Sequence, residues 1–244
     1  MNPFYIGGII GFGPALFLIW FSLRKYTLPY VEGSLFEDRR VFFMLAVGMV
    51  AGSLIFVLEQ FLAPLYTFEG GIDFLMFMLI FVLAFPLIED LAKFVILNFK
   101  GYEGRFDSTF YGISLGAGYS ATSMIGYVFI VMSKEETVAF EGWLGLVFLS
   151  ICMALIHCSV GASLGNATGK KLGLKGLPQA VIPHFIFNML LFPWFVYGQI
   201  WFALILVIPV SGMIYYGVYT YTIPEAMPRE VQKEIRRSER KKVR

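Results

Sequence analysis

Apolar residues run through this chain in long blocks, not at the three-to-four-residue intervals of a surface helix. Seven such blocks, 4–23, 41–65, 73–99, 108–132, 143–167, 177–197 and 199–222, are parted by short polar stretches. At 1.5 Å per residue, each is long enough as an α-helix to cross a hydrocarbon layer of ~30 Å. A helix satisfies its own backbone in lipid, so the pattern predicts an all-α, polytopic membrane bundle of seven transmembrane helices. Only Tyr197-Gly198-Gln199 separates the last two blocks. A six-span arrangement with one long re-entrant segment is therefore the alternative.

The polar stretches carry charge of one sign on alternate sides. Arg24, Lys25, Arg39 and Arg40 fall in the first connection, Lys100 and Arg105 in the third, and Lys170, Lys171 and Lys175 in the fifth. Arg229, Lys233, Arg236, Arg237, Arg240, Lys241, Lys242 and Arg244 fill the C-terminal tail, whereas the other side holds only Lys134. Lysine and arginine accumulate on the cytoplasmic side. The expected orientation is N-terminus out and C-terminus in, at the cell membrane, with a transmembrane domain over 1–222 and a basic cytoplasmic tail over 223–244. A net charge of +2 conceals this sorting. The tail suits anionic lipid headgroups better than nucleic acid. Charged residues make up only 15% of the chain, against about 25% in soluble domains, and no polar block is large enough to fold by itself. The first block has no basic leader or small-residue cleavage site and does not read as a signal peptide. Cys152 and Cys158 share one span on different helical faces and are expected to be buried free thiols.

Small residues indicate which helices pack closely. Gly7 and Gly11, Gly48 and Gly52, and Gly112 and Gly116 have the four-residue spacing that lets helix backbones approach. The fourth span is extreme, with Gly112, Ser114, Gly116, Ala117, Gly118, Ser120, Ala121, Ser123 and Gly126. A helix so poor in volume is expected at the centre, enclosed by the others.

Chemistry is sought where a polar group is costly. An ionisable residue deep in a span costs about 2.5–3.5 kcal/mol or more and tends to face the bundle interior. Glu89, Asp90 and Lys93 lie in the third span, His157 in the fifth, and His184 and Asn188 in the sixth; these are the chain's only 2 histidines. Counted from the cytoplasmic boundary, Glu89, His157 and His184 all lie roughly 12–17 Å deep. One carboxylate and two imidazoles form a three-ligand zinc set with a fourth position left for water. The plainer reading is that the same residues only hydrogen-bond helix to helix.

These residues resemble a known family. Glu89-Asp90-x-x-Lys93 looks like the E-E-x-x-K motif of the PrsW intramembrane metalloproteases, which belong with the type II CAAX prenyl proteases. Asp107-Ser-Thr-Phe-Tyr-Gly112, running on to Gly116 and Gly118-Tyr119, is similar to that family's next span. His157 followed by Gly161 and Gly165, and His184-x-x-x-Asn188, match its remaining motifs. The resemblance covers about 85–195. It implies a Glu/His/Asn site inside a helical bundle, and hydrolysis of membrane-embedded or membrane-proximal peptide bonds. In that reading Glu89, His157 and His184 hold Zn²⁺, Asp90 or Glu89 is the general base, and Asn188 donates to the oxyanion. Lys93, Tyr119 and Ser123 support the site.

Two positions depart from the family. Asp90 stands for a second glutamate, and the family's F-x-x-x-E element reads Tyr119-x-x-x-Ser123. The second departure points to the APH subunit of γ-secretase, a seven-span scaffold of the same superfamily. This chain is similar to it at Gly11-Phe-Gly13-Pro14-Ala15, at both histidines and at Ser123, but keeps Glu89 and Asn188. The alternative function is thus a non-catalytic scaffold partnering a presenilin-like protease. A channel or retinal pump is the weaker third class: 199–222 contains no lysine for a Schiff base, and no inverted repeat with paired broken helices is visible.

Overall fold

The computed structural model describes residues 2–27, 31, 35–68, 71–99, 101–134 and 138–242. Lys100 and Arg244, counted in the charge pattern, lie outside them. Seven helices among the described residues are long and apolar enough to cross a membrane. The first two spans are built on α1 (Pro3–Leu23) and α2 (Asp38–Leu62). A two-stranded hairpin, β1 (Thr67–Phe68) with β2 (Gly71–Ile72), leads into the third. That span is composite: α3 (Phe74–Phe77), a π-helical segment (Met78–Ala84) and α4 (Phe85–Leu97). Next come α5 (Ser108–Lys134), α6 (Phe140–Gly169), α7 (Leu177–Leu190), α8 (Phe192–Tyr197) and α9 (Ile200–Gly217). A second π segment (Val218–Thr222) and α10 (Ile223–Ala226) extend the seventh span, and the tail forms α11 (Arg229–Lys242).

The uncertain boundary resolves into a turn. Gly198 adopts the left-handed conformation, φ 65°, and its N–H bonds back to the Pro193 and Trp194 carbonyls. Glycine takes this conformation without a Cβ penalty, so the chain ends one span and starts the next within two residues. The seventh span also runs further than hydropathy suggests, to Ala226.

As its small residues imply, α5 is the centre. It is buried on every side from Ser108 to Ala121. A Cβ on Gly112 would overlap the Gly161 carbonyl, and one on Gly161 would overlap the Gly112 carbonyl. Gly116 meets the backbone of His157, and Gly165 meets that of Ser108. On its other flanks α5 meets Gly48 of α2 at Leu115 and Gly11 of α1 at Ala121, while its own Gly118 meets Leu45. In lipid there is no water to drive helices together, so close backbone packing supplies much of the association.

At the basic end, Arg105 donates to Asp107 at 2.9 and 2.6 Å, and the Tyr111 hydroxyl donates to Asp107 at 3.0 Å. The Ser108 hydroxyl donates to the Tyr102 carbonyl. This knot anchors the start of α5.

The π segment has a local cause. Phe85 N–H bonds to the Ile80 carbonyl, five residues back, and Pro86 has no N–H to offer Phe81. The Phe81 carbonyl is thereby left without a partner in its own helix. Asn188 of α7 fills the gap, donating through Nδ2 at 2.8 Å.

Candidate metal centre

The third, fifth and sixth spans bring their polar residues to one buried point. Glu89 Oε2 lies 3.7 Å from His157 Nδ1 and 3.7 Å from His184 Nε2. One ligating atom from each of the three residues lies within 4.8 Å of the others. Bonds of ~2.0–2.2 Å place neighbouring ligands roughly 3.4 Å apart, so only a small contraction is needed to hold zinc. Glu89 Oε2 is buried and accepts no hydrogen bond. Its cationic neighbour is Lys93 Nζ at 3.6 Å, too long for a hydrogen bond, and a bound cation would supply the closer contact that a buried carboxylate oxygen requires.

The imidazoles present the correct atoms. His184 Nδ1 lies 3.2 Å from both oxygens of Asp90. An N–H pointing at that carboxylate leaves the Nε2 lone pair facing Glu89. A carboxylate behind a histidine is the usual arrangement for orienting a metal ligand. Lys93 Nζ donates to Asp90 at 2.9 Å and to His157 Nδ1 at 3.1 Å, and stands 3.6 Å from Glu89 Oε2. The His157 Nδ1 lone pair thus accepts from Lys93, and a metal held by this nitrogen would take the ammonium's place. The ammonium sits 4.4 Å from the Tyr119 ring centroid, a cation–π contact. Tyr119 in turn packs at a tilt against His157, with ring centroids 4.8 Å apart and the planes at 40°. A protein cation at the edge of the set shows that these atoms stabilise positive charge.

A cavity of about 330 Å³ adjoins the cluster. Glu89, His157, His184, Asn188, Tyr119 and Ser123 all line it. It extends to Gln60, Thr67, Val131 and Trp194, at the bundle end opposite the lysine- and arginine-rich connections. Comparison with protein-family models, curated proteins and solved structures found no match. The site's own geometry must carry the functional reading.

Each residue singled out in the sequence has a definite place. Glu89, His157 and His184 converge. Asp90 is 0% exposed and does not line the cavity; it stands behind His184, bonded to Lys93. Asn188 spends one amide hydrogen on the Phe81 carbonyl and keeps the other. Ser123 is buried on the cavity wall with an unpartnered hydroxyl. Cys152 and Cys158 are free and buried.

One residue escaped the sequence reading. Glu59 of α2 is 7% exposed and lines the same cavity. It is the only charged residue within 41–65, a signal that was present but masked by its distance from the layer of the other three. It is close enough to Glu89 for the two carboxyl groups to interact electrostatically. Tyr66, just beyond α2 on the cavity wall, has its phenol pushed up to about 12, by burial first and by the charge of Glu59 second.

Proposed function

We propose that this protein is an intramembrane metal-dependent peptide hydrolase of the PrsW type, acting on membrane-embedded or membrane-proximal segments of other proteins. One observation carries the reading: Glu89, His157 and His184 converge around an unpartnered carboxylate oxygen on the wall of a cavity. Such a constellation, with orienting groups behind it and room for a substrate in front, is what hydrolysis requires.

A divalent cation such as Zn²⁺, when bound, supplies Lewis acidity toward a carbonyl oxygen and toward water. The chain's own residues do the rest. Asp90 fixes the tautomer and direction of His184. The remaining amide N–H of Asn188 can donate to the carbonyl oxygen as it gains charge, where a donor is worth about 3–4 kcal/mol. Phe81, Phe85, Phe187 and Phe195 make the cavity wall apolar and limit water around the reacting bond. With the N-terminus outside, the cavity faces the outer side of the cell membrane, so substrate enters from that half of the bilayer.

The test uses purified protein in liposomes with a library of single-span peptides. New peptide termini should appear, vanish on chelation and return with Zn²⁺. Absence of new termini with zinc present would defeat the reading. Orientation is checked separately, with single cysteines at Lys134 and after Arg229 in intact cells. An impermeant thiol reagent should label the first and not the second; equal labelling would remove the outward-facing cavity.

A specific observation favours a second reading. Asp90, Lys93, His157 and His184 already satisfy one another without a metal. A buried polar network of this kind can simply order the bundle. The protein would then be a scaffold, similar to the APH subunit, for a presenilin-like protease. Under that reading chelation changes nothing, and Glu89→Gln or His157→Ala lowers stability or partner association without any turnover to lose.

A further inference from the structure

We infer that Glu59 is the acid–base residue of this site, the group that moves the proton during hydrolysis. The inference rests on the metal-dependent reading above and assigns a role that the three converging residues leave open.

Four observations place Glu59 there. Its side chain is buried and lines the cavity that Glu89, His157 and His184 share. Its Oε1 is buried without a hydrogen-bond partner, a costly state for a carboxyl in a transmembrane helix. It is close enough to Glu89 for the two carboxyl groups to interact electrostatically. It nevertheless lies outside the group whose ligand atoms are mutually within 4.8 Å, which contains only Glu89, His157 and His184 among the described residues. Glu59 is thus beside the candidate ligands without being one of them, on the side from which a substrate arrives.

The other candidates for this task are otherwise engaged. Asp90 is sealed behind His184 and bonded to Lys93. Glu89 is needed as a ligand. The Tyr119 and Ser123 hydroxyls face the cavity, but neither is a base near neutral pH. The separation matters, because a base must reach the water while the ligands hold their places.

The step balances as follows. A water molecule in the cavity gives a proton to the Glu59 carboxylate as its oxygen bonds to the peptide carbonyl carbon. The carbonyl π pair moves onto the carbonyl oxygen, toward Asn188. That pair then re-forms the C=O bond as the C–N bond breaks, its electrons leaving with nitrogen, which takes the proton held by Glu59. The products are a carboxylic acid and an amine, and Glu59 is restored.

The helix register supplies a rescue. Gly48 packs at Leu115 and Gly52 at Tyr119, so α2 and α5 run side by side with a constant offset. By that offset Ser123 stands three residues short of the level of Glu59, roughly 4.5 Å along the bundle. A glutamate at 123 would bring its carboxyl into the same part of the cavity.

The experiment compares wild type, Glu59→Gln, Glu89→Gln and the double variant Glu59→Gln/Ser123→Glu, full-length in liposomes. Bound zinc per chain is measured first, then kcat and KM on a peptide the wild type cleaves. Glu59→Gln should keep wild-type zinc content, which also shows that it is folded, while kcat falls ~10²–10⁴-fold and KM stays within a few-fold. Glu89→Gln should lose the zinc itself. The double variant should recover at least about tenfold of the lost kcat. Undiminished turnover in Glu59→Gln overturns the assignment and leaves the hydrolase reading standing. Loss of zinc in Glu59→Gln also overturns it, by making Glu59 a ligand. A wild type that neither binds zinc nor cleaves overturns the hydrolase reading and this inference together.

Discussion

Leucine at Gly161 is expected to destroy the bundle, whereas leucine at Gly13 is expected to leave it intact. Gly161 and Gly112 meet backbone to backbone, and a Cβ on either overlaps the other's carbonyl. The neighbouring atoms are main chain and cannot rotate aside, so the two helices must separate. Overpacking of this kind commonly costs 1–3 kcal/mol, and a rigid backbone contact lies at or beyond the upper end. Separation would also withdraw His157, since Gly116 rests on its carbonyl one turn along the same interface. At Gly13 nothing lies within 4 Å of the added Cβ, and the position is exposed to lipid. In thermal unfolding in detergent, Gly161→Leu should lose on the order of 10 °C or fail to yield monomer, while Gly13→Leu should match wild type. Equal transitions for the two would show that α5 and α6 are not packed as described.

Metal retention should separate the ligands from the group that orients them. Wild type loaded with Zn²⁺ and passed through gel filtration should keep about one ion per chain, as a three-ligand site does. His184→Ala and Glu89→Gln each remove a proposed ligand and should retain almost none. Asp90→Asn removes only the carboxylate behind His184, and loss of such a partner weakens binding about 10–100-fold. It should therefore show a weaker dissociation constant with the stoichiometry unchanged. Full retention in His184→Ala would abolish the candidate centre. Asp90→Asn behaving like His184→Ala would mean that Asp90 is itself a ligand.

The spans and the central place of α5 were legible in the sequence because both are properties of whole segments. A block of twenty apolar residues has few ways to exist, and a helix so rich in small residues has few places to go. The convergence of Glu89, His157 and His184 was legible as a shared depth, which counts residues and needs no knowledge of rotation. Glu59 was hidden by that same test. It belongs to the C-terminal half of its span, away from the layer of the other three, yet lines the same cavity, which residue counting does not reveal. The intrusion of Lys93 between Asp90 and His157 was equally invisible, since a residue at i+4 from Glu89 and i+3 from Asp90 can serve either. Nor did hydropathy reveal the break in regular winding at Met78–Ala84, whose cause is Pro86 acting on carbonyls one turn upstream.

That break sets an angular phase. A residue advances about 100° around an α-helix and less around a π-helix, so the π segment acts as an offset between the N-terminal and C-terminal halves of the third span. Before it in the chain Phe74 and Phe77 lie against Phe192; after it Glu89, Asp90 and Lys93 face the two histidines. A regular α-helix of the same length would align one half and turn the other aside by a fraction of a circle. The segment therefore works as a vernier, and Asn188, which caps its open carbonyl, locks the setting. The number of residues in 78–84 therefore bears on the site as directly as the Phe81 side chain that lines its cavity.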